Sequence, residues 1–170
     1  MKSIVLAGGC FWGIEAYFKR INGVLATRVG YAQGNEQNPN YEKVCTGETG
    51  HAEVCDIIFD DDVITLEKIL EHFFKIINPT LINQQGEDIG TQYRTGIYYN
   101  NDNDLDIINK VIEIQQTKYK EKIVTEVEVL DMFYDAEEYH QEYFEKNENA
   151  YCHINLSLIK AEEKQDPIRN

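Results

Sequence analysis

A short apolar run at residues 4–7, Ile-Val-Leu-Ala, leads directly into Gly-Gly-Cys-Phe-Trp-Gly at residues 8–13. The length and β-branched content of the run predict a buried strand. Apolar side chains then recur at helical spacing, at Ile14, Tyr17 and Phe18. Cys10 therefore falls at or near a helix N-terminus, where free backbone N–H groups and the helix dipole favour a thiolate over a thiol.

This junction predicts a nucleophile with an apolar pocket beside it, formed by Phe11 and Trp12. The residues alone leave a structural role for Cys10 open, since a free cysteine often packs as a small hydrophobe. A phosphate-binding loop does not match, because the G-x-G-x-x-G spacing is absent and two large aromatics fill the space. A lipoprotein signal does not match either, because the segment before Cys10 is too short.

Composition predicts one globular domain. The chain has 170 residues, 42% of them hydrophobic, and a formal net charge of −14. We expect a single catalytic domain over residues 1–160 and a polar tail over 161–170. The negative charge argues against nucleic acid and anionic membranes as partners. No apolar run suits a membrane span and no secretory signal is visible, so we expect a cytoplasmic protein with reduced thiols. No exposed apolar stripe calls for a partner, so we expect a monomer.

Hydrophobic periodicity predicts an α+β fold. We expect further strands at residues 24–31, 52–59, 96–99 and 123–130, with Glu126 and Glu128 pointing to water. We expect helices at 66–77 (after Thr65 as N-cap), 105–119 and 136–147. Strands and helices do not alternate strictly, which favours a mixed or antiparallel sheet with flanking helices.

Two long segments, residues 33–50 and 78–95, show little regular pattern. Irregular loops of this length inside a compact domain are often functional. Tyr41 lies in the first and Tyr93 in the second, where their phenols can converge on a polar ligand atom.

A carboxyl group lies on an apolar strand face. The period-2 rule places Glu53 on the same face as Cys55. Desolvation there raises the pKa of the carboxyl, and a neutral acid can donate a proton or a hydrogen bond. Spacing alone also allows a solvated strand end, and Asp56 lies on the opposite face.

The remaining cysteines and histidines do not form a zinc pattern. Cys45, His51 and Cys55 lack C-x-x-C spacing, so we expect neither a metal nor a cofactor. His140, in the last predicted helix, is expected to be a hydrogen-bonded structural histidine. Cys152 follows that helix at a position suited to a resolving thiol.

Several blocks together carry a family resemblance. Gly-Cys-Phe-Trp-Gly at residues 9–13 resembles the signature of the class A peptide methionine sulfoxide reductases, and further blocks at 38–47, 49–54, 83–94 and 133–141 keep the family's order. The resemblance spans nearly the whole chain. It implies a two-layer α+β sandwich with a ferredoxin-like core and long irregular active-site loops.

The resemblance also implies roles for individual residues. Cys10 would attack the sulfoxide sulfur, and Phe11 and Trp12 would bind the methyl group. Glu53 would protonate the sulfoxide oxygen, assisted by the phenols of Tyr41 and Tyr93, while Asp88 would help to bind substrate.

The implied reaction regenerates methionine from the S epimer of methionine sulfoxide, protein-bound or free. Cys10 becomes a sulfenic acid, a second thiol displaces water to form a disulfide, and thioredoxin reduces that disulfide. Cys152 is the candidate second thiol. The chain departs from the family after it, having no glycine-rich tail and no later cysteine, and Ala150 stands where a glycine is common.

Two other cysteines and two other functions complete the expectations. We expect Cys45 and Cys55 to be buried. A cysteine hydrolase using Cys10 with His51 or His140 remains an alternative, and a redox-sensing module that binds oxidised methionine without turnover is another.

Overall fold

The computed structural model describes residues 1–147, 150 and 154–165. The strands are β1 (Lys2–Gly8), β2 (Val24–Ala32), β3 (Ala52–Phe59), β4 (Gln84–Gln85), β5 (Asp88–Ile89), β6 (Thr95–Tyr99), β7 (Glu126–Val129) and β8 (Tyr134–Asp135). Six of them form one sheet in the order β7-β6-β1-β3-β2-β8, and β4 pairs with β5 in a separate hairpin. All neighbours in the large sheet are antiparallel except β6 and β7, which are parallel, so the sheet is mixed.

The helices are α1 (Phe11–Lys19), α2 (Tyr41–Cys45), α3 (Leu66–Ile76), α4 (Asp104–Gln116) and α5 (Tyr143–Lys146). Short 3-10 turns lie at Thr91–Tyr93, Glu138–His140, Leu156–Leu158 and Ala161–Glu163. Within the described part of the chain, no helix has the length and apolar content that crossing a bilayer requires.

The helices α1, α3 and α4 cover one face of the sheet. The side chains of this main core are almost fully buried, and they come from the helices and from alternate strand positions, among them Ile4, Leu6, Phe18, Ile57, Phe73 and Ile108. A smaller cluster covers the opposite face, made of Val5, Ala7, Ala32, Ala52, Val54 and Tyr98, with Leu130 and Phe133 against it. One helical layer on one sheet confirms the α+β two-layer prediction.

Most elements follow the sequence pattern closely. The predicted strands at 24–31, 52–59 and 96–99 agree with β2, β3 and β6 to within one residue at each end. Thr65 is the N-cap of α3, as predicted, and its hydroxyl accepts a hydrogen bond from the Lys68 N–H at 3.2 Å. Local apolar patterns and capping chemistry suffice for the buried strands β3 and β6 and for the amphipathic helix α3.

The helix predicted over residues 136–147 is wrong. A 3-10 turn and the four-residue α5 replace it, separated by Glu142, whose φ of 53° lies in the left-handed region. The Gln141 side chain bonds both backbone groups of Val29 on β2, accepting at 2.9 Å and donating at 2.8 Å. Because these tertiary hydrogen bonds hold Gln141 at the sheet edge, the chain cannot wind continuously there.

The strand predicted at 123–130 is shorter in the structure, where β7 covers Glu126–Val129, and the Glu126 side chain has protein partners. Glu126 does not point simply to water, because it accepts hydrogen bonds from Arg94 Nε and from the Tyr98 hydroxyl, both at 2.7 Å. Period-2 alternation predicted the exposed Glu128 but missed the partners that reach Glu126, and Val129 on the other face is exposed as well.

The segment predicted as a polar tail begins with residues that contact the domain. The Gln165 side chain donates to the backbone carbonyls of Ile21 and Val24 at 2.8 and 2.6 Å. Glu163 lies 3.2 Å from Nε2 of His72, a buried residue of α3. Residues 161–165 therefore pack against the end of α1 and the middle of α3, and the boundary at residue 160 stays a prediction.

Candidate active site

Cys10 lies where β1 gives way to α1, as its sequence context predicts. It is the N-cap residue of α1 in an extended conformation, and it is partly buried. Gly9 precedes it with φ of 86°, which favours glycine. A Cβ on Gly8 would lie 2.7 Å from Ile77, so the junction also needs a residue without a side chain there. The two glycines thus allow the thiol to sit directly on a packed core.

The protonation state of Cys10 differs from the sequence prediction. Burial and the neighbouring Glu53 charge raise the pKa of the thiol, and the backbone N–H groups of Trp12 and Gly13 lower it by less. The helix N-terminus therefore acts in the predicted direction but does not prevail, because desolvation is the larger effect. The pKa of the Cys10 thiol is therefore raised overall, opposite to the net direction that the sequence predicts.

Glu53 lies on β3 directly beneath the start of α1. Its side chain is buried, with 1% exposure, and Oε1 accepts a hydrogen bond from the Phe11 N–H at 3.2 Å. Oε2 has no hydrogen-bond partner among the residues that the structure describes. Burial raises the pKa of Glu53 to about 8, with a further contribution from the charge of Asp88. The carboxyl is thus protonated at neutral pH and has one oxygen unused.

Aromatic rings surround the other side of Cys10. Phe11 is buried, and Trp12 stacks on Tyr143 with ring centroids 3.7 Å apart and planes 7° from parallel. Trp12 Nε1 donates a hydrogen bond to Nδ1 of His140 at 3.0 Å. The His140 ring also contacts Tyr41, with centroids 4.7 Å apart. His140 is buried and hydrogen-bonded, as predicted, and burial lowers its pKa.

The two irregular loops bring both predicted phenols to Glu53. Tyr41 is the first residue of α2, whose N-cap Asn40 accepts from the Lys43 N–H at 2.8 Å. Tyr93 ends the 3-10 turn before β6. Burial raises the pKa of Tyr41 and of Tyr93, and in each the Glu53 charge adds to the shift. Both phenols are therefore hydrogen-bond donors near the carboxyl.

An open groove of about 470 Å³ leads to Cys10. Asp88, on the β4–β5 hairpin, lies on one wall, and its charge adds to the raised pKa of Cys10 and of Glu53. The other lining residues are Trp12, Ile76, Gln85, Gly86, Glu87 and Phe144. The groove gives a ligand access to the thiol, with the rings of Trp12 and Phe144 in its lining.

The other predicted thiols and histidines have mixed outcomes. Cys55 is fully buried in the sheet, as expected, but Cys45 is exposed on α2, so the expectation that it is buried is wrong. Cys45 ends a short helix with only Val44 facing the core. His51 is buried against Gly34 and away from Cys10's aromatic neighbours. Cys152 lies outside the described residues.

Sequence reasoning missed two residues of this region. The sequence pattern predicts that Glu142 and Tyr143 belong to one continuous helix, and it therefore does not predict the turn that allows Tyr143 to stack on Trp12. The tertiary contacts of Gln141 with β2 determine this turn, and no local pattern reports them.

Comparisons with known proteins agree with this geometry. The family model for peptide methionine sulfoxide reductase matches residues 2–169. The peptide methionine sulfoxide reductase MsrA of Alkaliphilus metalliredigens is 63% identical over 158 residues, covering 93% of this chain and all of the relative.

Solved structures agree as well. Reduced Mxr1 from Saccharomyces cerevisiae superimposes with a TM-score of 0.86 at 43% identity, covering 91% of each chain. Mxr1 in complex with Trx2 superimposes with a TM-score of 0.61 at 34% identity, covering 84% of each chain. The chain belongs to the peptide methionine sulfoxide reductase family.

Proposed function

We propose that this chain reduces the S epimer of methionine sulfoxide, in proteins and as the free amino acid, and so repairs oxidised methionine. The observation that carries the proposal is a protonated, buried Glu53 with Oε2 unpartnered among the described residues, close to the Cys10 thiol. A sulfoxide oxygen becomes more basic as its sulfur is attacked. A proton donor at that oxygen therefore stabilises the transition state more than the bound substrate.

The first step transfers oxygen from substrate to enzyme. The Cys10 sulfur attacks the sulfoxide sulfur, Glu53 gives its proton to the oxygen, and the thiol proton replaces the one that Glu53 gives up. The attack forms a sulfur–sulfur bond. This bond and the sulfur–oxygen bond of the substrate then break as the protonated oxygen moves to the Cys10 sulfur. A thiol and a sulfoxide thus become a sulfenic acid and methionine, with two electrons passing from the enzyme sulfur to the substrate sulfur.

The neighbouring side chains bind the substrate. Tyr41 and Tyr93, both protonated, donate hydrogen bonds to the sulfoxide oxygen. Phe11 and Trp12 contact the methyl group, which offers no polar atom and is distinguished by shape alone. Asp88, on the groove wall, helps to orient the rest of the substrate.

The second step regenerates the thiol. The Cys152 thiol attacks the sulfenic sulfur of Cys10, water leaves, and a disulfide forms. Thioredoxin then reduces this disulfide by thiol–disulfide exchange. The role of Cys152 rests on the family resemblance, and the thioredoxin step is supported by the solved complex of the relative Mxr1 with Trx2. A cycle that consumes reduced thiols suits a reducing compartment, so we place the chain in the cytoplasm.

Turnover of separated epimers tests the proposal. Blocked methionine S- and R-sulfoxides are incubated with the protein, thioredoxin, thioredoxin reductase and NADPH, and methionine is measured. We expect turnover of the S epimer only and none in Cys10→Ser. Cys152→Ser is expected to release one methionine per enzyme and to leave a sulfenic acid that a dimedone probe labels.

Cys45→Ser is the matched control, because Cys45 is an exposed thiol outside the proposed cycle and a serine hydroxyl keeps a hydrogen-bond partner for the neighbouring Tyr41 phenol. It is expected to keep wild-type turnover. Tight sulfoxide binding without methionine release would favour a sensing module, and an acyl-enzyme formed with ester substrates would favour a hydrolase. Unimpaired cycling in Cys152→Ser would remove that residue from the mechanism.

A further inference from the structure

A buried carboxylate on α1 takes no part in the proposed chemistry. Glu15 is 2% exposed, and both of its oxygens accept hydrogen bonds. Oε2 accepts from the Thr27 hydroxyl at 2.8 Å, and Oε1 accepts from the backbone N–H of Glu142 at 2.6 Å. A buried carboxyl group costs free energy unless it is fully hydrogen-bonded, so these two donors account for its place in the core.

The Glu142 contact holds an unfavourable backbone conformation. Glu142 has φ of 53°, a left-handed value that a residue with a side chain rarely adopts without outside support. Glu15 binds the N–H of this residue, and Lys19, one turn further along α1, pairs with its carboxylate. Two side chains of α1 therefore hold the Glu142 turn, which we define as residues 141–143.

One residue of the Glu142 turn and the residue directly before the turn both contact the indole of Trp12. Tyr143, inside the turn, stacks on Trp12 at a centroid distance of 3.7 Å. His140, directly before the turn, accepts the hydrogen bond from Trp12 Nε1 at 3.0 Å. Trp12 is itself on α1, so Glu15 and Trp12 lie on the same short helix. The position of the turn relative to α1 thus determines which way the indole faces.

We infer that Glu15 is a positioning residue, which holds the Glu142 turn against α1 and thereby orients Trp12 for sulfoxide binding. The inference rests on the proposed function only where it concerns sulfoxide. Its structural part, that Glu15 sets the environment of Trp12, is independent of any substrate. The hydrogen-bonding capacity of Glu15 is what matters, since one acceptor faces the turn and the other faces a hydroxyl.

Two substitutions separate hydrogen bonding from charge. Glu15→Leu keeps most of the volume and removes both acceptors. Glu15→Gln keeps an oxygen for the Glu142 N–H, and its NH₂ group can donate to Thr27, because a hydroxyl both donates and accepts. Glu145→Gln is the matched control, since the Glu145 side chain pairs with Lys19, while only its backbone N–H, which the substitution keeps, bonds the turn.

Trp12 reports its own environment, because it is the only tryptophan in the chain. In Glu15→Leu we expect its fluorescence to shift to longer wavelength and acrylamide quenching to increase, as the stack and the hydrogen bond loosen. We expect KM for methionine S-sulfoxide to rise about tenfold, the loss of one hydrogen bond that holds the turn, with a smaller change in kcat. Glu15→Gln and Glu145→Gln are expected to retain wild-type fluorescence and KM.

Unchanged Trp12 emission and KM in Glu15→Leu would overturn the inference, and so would equal damage in Glu15→Gln. If Glu15→Leu does not fold, Thr27→Val removes one donor at nearly constant volume. It should shift the emission in the same direction by a smaller amount, and unshifted emission there would also overturn the inference. A wild-type protein without sulfoxide turnover would refute the proposed function instead, while the fluorescence comparison would still decide the role of Glu15.

Discussion

Replacing Glu53 by Gln removes a proton that the folded protein holds to unusually high pH. Burial raises the pKa of Glu53 to about 8, whereas a glutamate in an unfolded chain titrates at about 4.3. Between these two values the folded state binds more protons than the unfolded state, so stability falls as pH rises. The loss is complete only above the folded pKa. Gln does not titrate and still offers an oxygen to the Phe11 N–H that Glu53 Oε1 accepts.

The size of the effect follows from the pKa difference. Each unit corresponds to about 1.4 kcal/mol, so the wild type loses stability relative to Glu53→Gln by about 1.4 kcal/mol per pH unit within the window. The full difference is on the order of 5 kcal/mol by pH 8, which is comparable to the whole stability of a marginal domain. Glu53 is 1% exposed, so solvent screening does not reduce it substantially.

Urea unfolding of both proteins between pH 5 and pH 9 measures this difference, because titrations of all other groups cancel in the comparison. The advantage of Glu53→Gln should grow up to pH 8 and then level off. Single-turnover methionine release should fall about 100-fold in Glu53→Gln, since an amide cannot donate a proton. In the wild type, single-turnover methionine release should slow as the pH rises through 8, because Glu53 then loses its proton. A stability difference that is constant with pH would show a hydrated, ionised Glu53 and refute the proton-donor argument.

Three further outcomes are expected. Gly34→Ala should cost about 1–3 kcal/mol in urea unfolding, because the new Cβ would lie 2.2 Å from the buried ring of His51; equal midpoints would show that the loop shifts freely. Tyr41→Phe should slow single-turnover methionine release about threefold to tenfold, the loss of one neutral hydrogen bond, while unchanged rates would remove its phenol from the reaction. Burial lowers the pKa of His72, so the folded protein should lose stability as the pH drops below about 6.5, where the unfolded chain protonates this ring. His72→Asn should lose less stability over the same range, and parallel acid profiles of the two proteins in thermal unfolding would contradict this.

Elements of the fold that are stabilised by a regular pattern of buried side chains could be predicted from the sequence, and those held by long-range hydrogen bonds could not. α3 buries one regular face and β3 is buried along almost its whole length, so the 3.6-residue period and the apolar run located them almost to the residue. Residues 136–147 show a helical pattern too, yet Gln141 bonds the edge of β2 and breaks it. Local periodicity contains no information about a backbone group that is distant along the chain, which is why the helix predicted over residues 136–147 is wrong.

The amino-acid sequence by itself determined the strand–glycine–cysteine–helix junction, the apolar face that carries Glu53, and the family, because these depend on residue types at fixed local spacing. Only the tertiary structure decided the direction of the pKa shifts. At Cys10, desolvation of the thiol exceeds the effect of the helix N-terminus, and at Glu53 the burial of the carboxyl raises its pKa. The tertiary structure also decided that Tyr143 stacks on Trp12 and that Cys45 is exposed. Burial and long-range contacts depend on how distant segments pack together, and chain spacing does not specify them.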